Sequence, residues 1–277
     1  MRATKAVVLA RGLGTRMRQQ ADGLTLTAEQ HAMADHGLKA LVSVGRPLLD
    51  YALSSLADAG IEEVCLVIGP EHAAIIQRYR ATITPTRLRI TTAIQPAPNG
   101  TAAAVLAAES FTGPDPFLVV NSDNIYPVSA LAALVSLSGP GLIGYAPAAL
   151  IAESNIPPAR IAQFALIDLA PDSSLAKITE KPPAERRAPS AECRAPSAER
   201  RVSMNSWRFG PTIFAACRLV TPSPRGELEL QDAVTIAIER FGERFEVVPF
   251  SGGVLDLSSR ADIAEVTERL RGREVVL

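Results

Sequence analysis

Aromatic side chains are scarce: Phe, Tyr and Trp together make up 5% of the 277 residues. Proteins that stack single-stranded bases depend on such rings, so that class is disfavoured. An excess of one charge is also missing. Lys and Arg number 28 against 29 Asp and Glu, a net charge of −1, which leaves no basic field for DNA or RNA. The three cysteines, Cys65, Cys193 and Cys217, form no CxxC pair, which argues against a disulfide framework or a zinc ribbon. The histidines, His31, His36 and His72, lack metal-ligand spacing and read as surface residues. No long apolar run opens the chain: five apolar residues end at Ala10, too few for a signal peptide or a membrane span. A cytoplasmic protein without a membrane partner is expected.

Apolar residues make up 47% of the chain, enough for a sizeable core. The length suits one large α/β domain over 1–277. Residues 5–10 are a short apolar run ending in a Gly-rich turn, the pattern of a buried parallel strand. Residues 48–59 repeat apolar positions at helical spacing and stop at Gly60. Strands follow at 64–68, 88–94 and 117–120, and helices at 71–79 and 101–110. This alternation predicts a doubly wound, Rossmann-like, mostly parallel sheet with helices on both faces. Its ligands would bind beyond the carboxyl ends of the strands. Farther on, 164–169 and 213–216 read as strands, and 231–240 and 261–271 as helices.

Two segments stand apart. Residues 19–37 are polar and read as a loop or short helix. Residues 183–202 are low-complexity, with Arg-Ala-Pro-Ser-Ala-Glu at 187–192 and again at 194–199. They hold too few apolar residues to bury and read as a disordered loop within the domain.

Gly12-Leu13-Gly14-Thr15-Arg16 follows the first strand. Glycines there let backbone N–H groups approach phosphate oxygens, and an arginine can clamp them. Met17 stands where the dinucleotide fingerprint needs a third glycine, and no Walker lysine follows. Taken alone the turn could be a plain βα connection, and Lys39 a surface lysine. Asp123 directly follows a buried strand, where a carboxylate can hold Mg²⁺ against phosphates or simply fill a turn. Ser259 with Asp262 resembles a capping box, which leaves Asp256 free for another task. Glu180-Lys181-Pro182 alone would be an exposed charge pair before a turn.

The order of these motifs is more telling than any one of them. Gly-x-Gly-Thr-Arg, a lysine, Gln-Pro-x-Pro-x-Gly at 95–100, Asp after a strand, Glu-Lys-Pro, Arg-Gly-Glu-x-Glu at 225–229 and a late Asp succeed one another. In this the chain resembles the sugar-1-phosphate nucleotidyltransferases over nearly its whole length, and most resembles their glucose-1-phosphate thymidylyltransferase branch. The resemblance implies an enzyme that joins a nucleoside triphosphate to a sugar 1-phosphate with Mg²⁺ as cofactor, and a sugar-binding insertion in the second half. By likeness, Leu9, Ala10, Gly12, Gly14 and Thr15 wrap the nucleotide. Arg16 and Lys39 contact the phosphates, and Gln95 reads a pyrimidine base, dTTP or UTP, above Gly100. Asp123 and Asp256 become metal ligands. Glu180, Asn205 and Glu227 contact the sugar, and Lys181 its phosphate.

Several positions depart from the family pattern. Arg11 replaces a small residue, Leu38 a proline, Val254 a tryptophan and Ser258 a glycine. Residues 19–37 are longer than the family's loop. Ile161-Ala162 stand for a Tyr-Gly pair at the sugar, and Trp207-Arg208 are bulkier than expected near the same pocket. Guanylyl or cytidylyl transfer, and a non-catalytic regulator on the same fold, are the alternatives. A homo-oligomer is an expectation from the family alone.

Overall fold

The computed structural model describes residues 2–20, 23–180 and 200–277. Lys181, Cys193 and most of the low-complexity segment lie outside them. In chain order the strands are β1 (Lys5–Leu9), β2 (Glu63–Ile68), β3 (Arg89–Ile94), β4 (Phe117–Asn121), β5 (Asn124–Ile125), β6 (Gly141–Tyr145), β7 (Ala165–Leu169), β8 (Leu175–Thr179), β9 (Arg201–Ser203), β10 (Trp207–Phe209), β11 (Glu246–Phe250) and β12 (Leu255–Asp256).

β3, β2, β1 and β4 lie side by side and parallel. In register, Val7 of β1 sits beside Cys65 of β2 and Val119 of β4. Successive side chains of a strand point to opposite faces. Ala6, Val8, Leu66 and Leu118 therefore join one core, with helix Leu48–Asp58. Val7, Cys65 and Val119 join the other, with helices Thr101–Ala107 and Leu230–Phe241. Helices cover both faces, as expected of a doubly wound sheet.

Residues 201–209 form one bent strand. Its first part, β9, lies between β6 and β7, and its second, β10, between β4 and β6. The break falls at Asn205, whose φ of +55° is left-handed. β11 closes the other edge of β6 in parallel. Gly141 has to be a glycine there, because a Cβ would stand 2.5 Å from the Glu246 carbonyl oxygen. Two glycines in Gly-Leu-Ile-Gly-Tyr are what mask β6 as a strand in the sequence.

Three sequence expectations need correction. Residues 213–216 are helical, within Thr212–Cys217. A four-residue apolar run has no period of its own, and burial of Ile213, Phe214, Ala216 and Cys217 is helical spacing. The low-complexity segment cannot reach residue 202: Val202 is buried in β9, paired with Leu166 and Tyr145. His72 is buried, not at the surface, its Nδ1 accepting the Gly69 N–H at 3.3 Å. Burial holds its imidazole below the usual pKa.

The 19–37 excursion carries helix Ala28–Asp35, opened by a full capping box of Thr27 and Gln30. The buried Arg260 guanidinium ties it down. Nε donates to the carbonyls of Met17 (2.9 Å) and Gln19 (3.1 Å), and Nη2 pairs with Asp35.

Candidate active site

Leu9 and Asn121 are neighbours at the carboxyl ends of β1 and β4. The Gly-rich turn leaves the first strand, and Asn121-Ser122-Asp123 leaves the second. Gly14 turns with φ +60°, and a Cβ on it would lie 2.5 Å from the Gly37 carbonyl oxygen. The turn is thus pressed directly against the end of the 19–37 excursion. Lys39 emerges just beyond, and its Nζ pairs with Asp123 Oδ2 at 2.8 Å.

Asp256 comes from β12, which pairs antiparallel with β5. Asn155 grips its backbone twice: Nδ2 donates to the Asp256 carbonyl and Oδ1 accepts its N–H, both at 2.8 Å. Oδ1 of Asp256 accepts from Asn124 Nδ2, and Oδ2 faces Arg160 Nη2 at 3.1 Å. The same Arg160 nitrogen lies 3.4 Å from Asp262. Burial pushes the Asp256 carboxyl above the usual carboxylate range, and the neighbouring Asp123 charge pushes it further, against Arg160 and Lys39. The Asp262 carboxylate accepts the Ser259 N–H at 2.7 Å and the Ser259 hydroxyl at 2.9 Å, so it closes the local turn and leaves Asp256 to the cavity.

Two cavities meet here. One, of about 380 Å³, is lined by Leu9, the Gly12–Arg16 turn, Lys39, Gln95, Gly100 and Glu227. The other, of about 450 Å³, is lined by Arg16, Asn121, Asp123, Glu180, Asn205 and Asp256. Arg16 borders both and has no hydrogen-bond or ion-pair partner among the described residues. Ala10 lies on a smaller recess between Lys39 and Asp123.

Gln95 is buried, and its Nε2 donates to Asn99 Oδ1 (3.2 Å) and to the Gly100 carbonyl (3.0 Å). The Gly100 carbonyl is a fixed acceptor, which settles the amide orientation. Both amide protons are used, so Oε1 is the group Gln95 has left for a ligand. Gly100 itself serves the protein: a Cβ would lie 2.3 Å from the Leu228 carbonyl oxygen, and φ is +119°. Leu228 N–H donates to the Asn99 carbonyl at 2.8 Å, which brings Glu227 to the Gln95 cavity and not to that of Asn205. Asn205 Oδ1 accepts from Gln231 Nε2 at 3.1 Å. Trp207 is in the core, and Arg208 is buried under helix Val128–Ser136, donating to the Val135 carbonyl at 3.0 Å. The bulk expected at the sugar pocket from Arg208 is therefore spent on a helix end.

Asn124, Asn155 and Arg160 were not legible as site residues. Each acts through partners across 101 or 132 residues of chain, or in the case of Arg160 at 96.

A family model described as nucleotidyl transferase matches residues 5–269. The chain belongs to the nucleotidyl transferase family. A UTP–glucose-1-phosphate uridylyltransferase of Haloferax volcanii is 30% identical to this transferase over 268 residues, covering 96% of both chains. A glucose-1-phosphate thymidylyltransferase of Streptomyces antibioticus is 31% identical over 263 residues, 95% of this chain and 65% of that one. Among solved structures, a UTP-bound UGPase from Acinetobacter baumannii superposes with a TM-score of 0.72 at 21% identity, covering 99% of this chain and 95% of that one, a likeness of fold. The transferase is an enzyme of the sugar-1-phosphate nucleotidyltransferase kind. Among the described residues no helix is long and apolar enough to cross a membrane.

Proposed function

We propose that the enzyme transfers a uridylyl or thymidylyl group from UTP or dTTP to a hexose 1-phosphate, releasing pyrophosphate. The observation that carries this reading is Arg16, without a partner among the described residues, at the junction of two cavities, beside Lys39, Asp123 and Asp256. The Gly12–Arg16 turn, Lys39 and Gln95 belong to the nucleotide cavity. Glu180 and Asn205 belong to the sugar cavity, with Lys181 next in sequence.

A sugar phosphate oxygen attacks the α-phosphorus in line. The new P–O bond forms as the bond to the bridging oxygen breaks, and the electron pair leaves with pyrophosphate. The nucleophile is already anionic, so no general base is required. What the chain supplies is alignment of two anions and neutralisation of their charge. Arg16 borders both cavities and is suited to the group being transferred, while Lys39 is suited to the phosphates.

Asp123 and Asp256 fit a magnesium ion. Both are hard oxygen donors on one cavity wall, and Asp256 is raised in pKa partly by the charge of Asp123. Among the described residues no cluster of three or more metal-binding side chains exists. Magnesium commonly takes one or two carboxylates and completes its shell with phosphates and water. When bound, the ion would neutralise phosphate charge. Lys39 pairs with Asp123 and Arg160 with Asp256, which balances the two carboxylates.

For the base, Gln95 offers a single acceptor. The N3–H of uracil or thymine meets it, and the uridylyl- and thymidylyltransferase relatives point the same way. Guanine also carries a ring N–H, so rejection of GTP must come from cavity size. The test is a competition of UTP, dTTP, CTP, GTP and ATP over a panel of sugar 1-phosphates, read as pyrophosphate and nucleotide sugar formed. UTP or dTTP should dominate. A preference for GTP or ATP overturns the pyrimidine reading of this cavity.

A further inference from the structure

We infer that Arg11 is an additional nucleotide-binding residue of this chain, one that takes a phosphate oxygen of the triphosphate. The inference rests on the proposed function for the identity of the ligand. Its own support is geometric. Arg11 follows β1 by two residues and lines the nucleotide cavity together with the Gly12–Arg16 turn and Lys39. Its side chain is 6% exposed, yet Nε and Nη1 are buried with no hydrogen-bond partner among the described residues. Nη2 alone is engaged, reaching both Glu71 carboxylate oxygens at 3.4 Å, the long limit of a hydrogen bond. Glu71 is itself half exposed.

A guanidinium withdrawn from water has to recover its lost hydration through close, charge-assisted hydrogen bonds. The Glu71 contact is too long and too wet to do so. A planar fork with two unpaired donors matches the oxygens of a phosphate once it turns from its buried position toward the cavity, and Arg16, Lys39 and the turn amides make the same wall suited to an anion. A base carbonyl would satisfy a donor without offsetting the buried charge, so the phosphate is the better match. Glu71 then acts as a placeholder that keeps the cation compensated until the nucleotide arrives.

The experiment uses the full chain, with UTP or dTTP and the matching nucleoside titrated calorimetrically, and KM for triphosphate and for sugar 1-phosphate measured separately. Arg11→Gln should weaken triphosphate binding about 10–100-fold, the span of one charged hydrogen-bonding group, and leave nucleoside affinity unchanged. Arg11→Lys should recover part of the loss, and Glu71→Gln should leave triphosphate affinity equal or tighter. A triphosphate affinity for Arg11→Gln within twofold of wild type would overturn the inference. So would an equal loss on the nucleoside, which would mark a base contact. Should Arg11→Gln fail to fold, Glu71→Gln decides: weaker triphosphate binding by that variant would make the pair structural. Wild-type protein that binds no triphosphate would overturn the proposed function, whereas wild-type binding unaffected by Arg11→Gln overturns this inference alone.

Discussion

Asn124 and Asp256 face each other across a two-stranded antiparallel ribbon, with Asn124 Nδ2 donating to Asp256 Oδ1 at 2.9 Å. Asn124 is aimed by its other end, where Oδ1 accepts from Asn121 Nδ2 at 3.1 Å. The carboxylate of β12 is therefore set by residues that leave β4, as Asp123 is. Asp123→Asn should keep the fold, because the amide has the shape of the carboxylate and its oxygen can still accept from Lys39. Turnover should fall roughly 10²–10³-fold, or about 3–4 kcal/mol in the transition state. Pyrophosphate release and a thermal melt check both halves, and wild-type turnover by the folded variant would remove Asp123 from the metal site.

Arg208 should matter for stability and not for catalysis. It is buried and donates from Nη1 to the carbonyls of Val135 and Leu137, at the end of helix Val128–Ser136. Arg208→Met would strand those acceptors, at a cost of about 2–4 kcal/mol. Urea unfolding should show the lower midpoint while KM for the sugar phosphate stays put. A changed KM with unchanged stability would return Arg208 to the sugar pocket.

Cys65 and Cys217 should be chemically silent in the native protein. Both are buried, and burial pushes their thiols up to about 11 and about 12. At pH 8 the thiolate fraction is then about 10⁻³ and 10⁻⁴, and only the thiolate attacks. Iodoacetamide followed by peptide mapping should label neither residue until denaturant is added. Native labelling of Cys65 would mean that β2 opens locally.

The repeat should be replaceable. Thr179 of β8 and Val202 of β9 both pair with Leu166, from opposite edges of β7. Two strand spacings put these points about 10 Å apart, a gap that about eight Gly/Ser residues span. Exchanging 183–199 for such a linker, with 200–203 retained, should move the melting temperature by no more than a few degrees, since loop length changes closure entropy slowly. A large drop would show that the segment packs.

The parallel half of the sheet was legible because strands buried on both faces are written as continuous apolar runs, such as 5–10 and 117–120. The second half was not. β6 carries two glycines, β10 is three residues long, and β12 is two, so none has room for a period. The site divides in the same way. Arg16, Lys39, Asp123 and Asp256 stood out through a resemblance in motif order. Arg160 sits in an unremarkable Pro-Ala-Arg-Ile, and its meeting with Asp256 is a product of tertiary structure. The part assigned to Gln95 narrowed for a similar reason: its amide protons go to Asn99 and Gly100, contacts that only the folded loop discloses.

The contact between Gly14 and Gly37 has a consequence for suppressor genetics. A Cβ on Gly14 would meet the Gly37 carbonyl oxygen at 2.5 Å, and one on Gly37 would meet the Leu13 carbonyl oxygen at 2.6 Å. Core clashes are ordinarily rescued by a smaller side chain opposite. Here each clash involves backbone, with Arg18 Nε also 2.7 Å from a Cβ on Gly37, and both residues are already the smallest available, so no exchange of one side chain for another can return all of the space. An alanine at either position should yield revertants at the same codon, or ones that change the length of 19–37, and none from a compensating substitution across the contact.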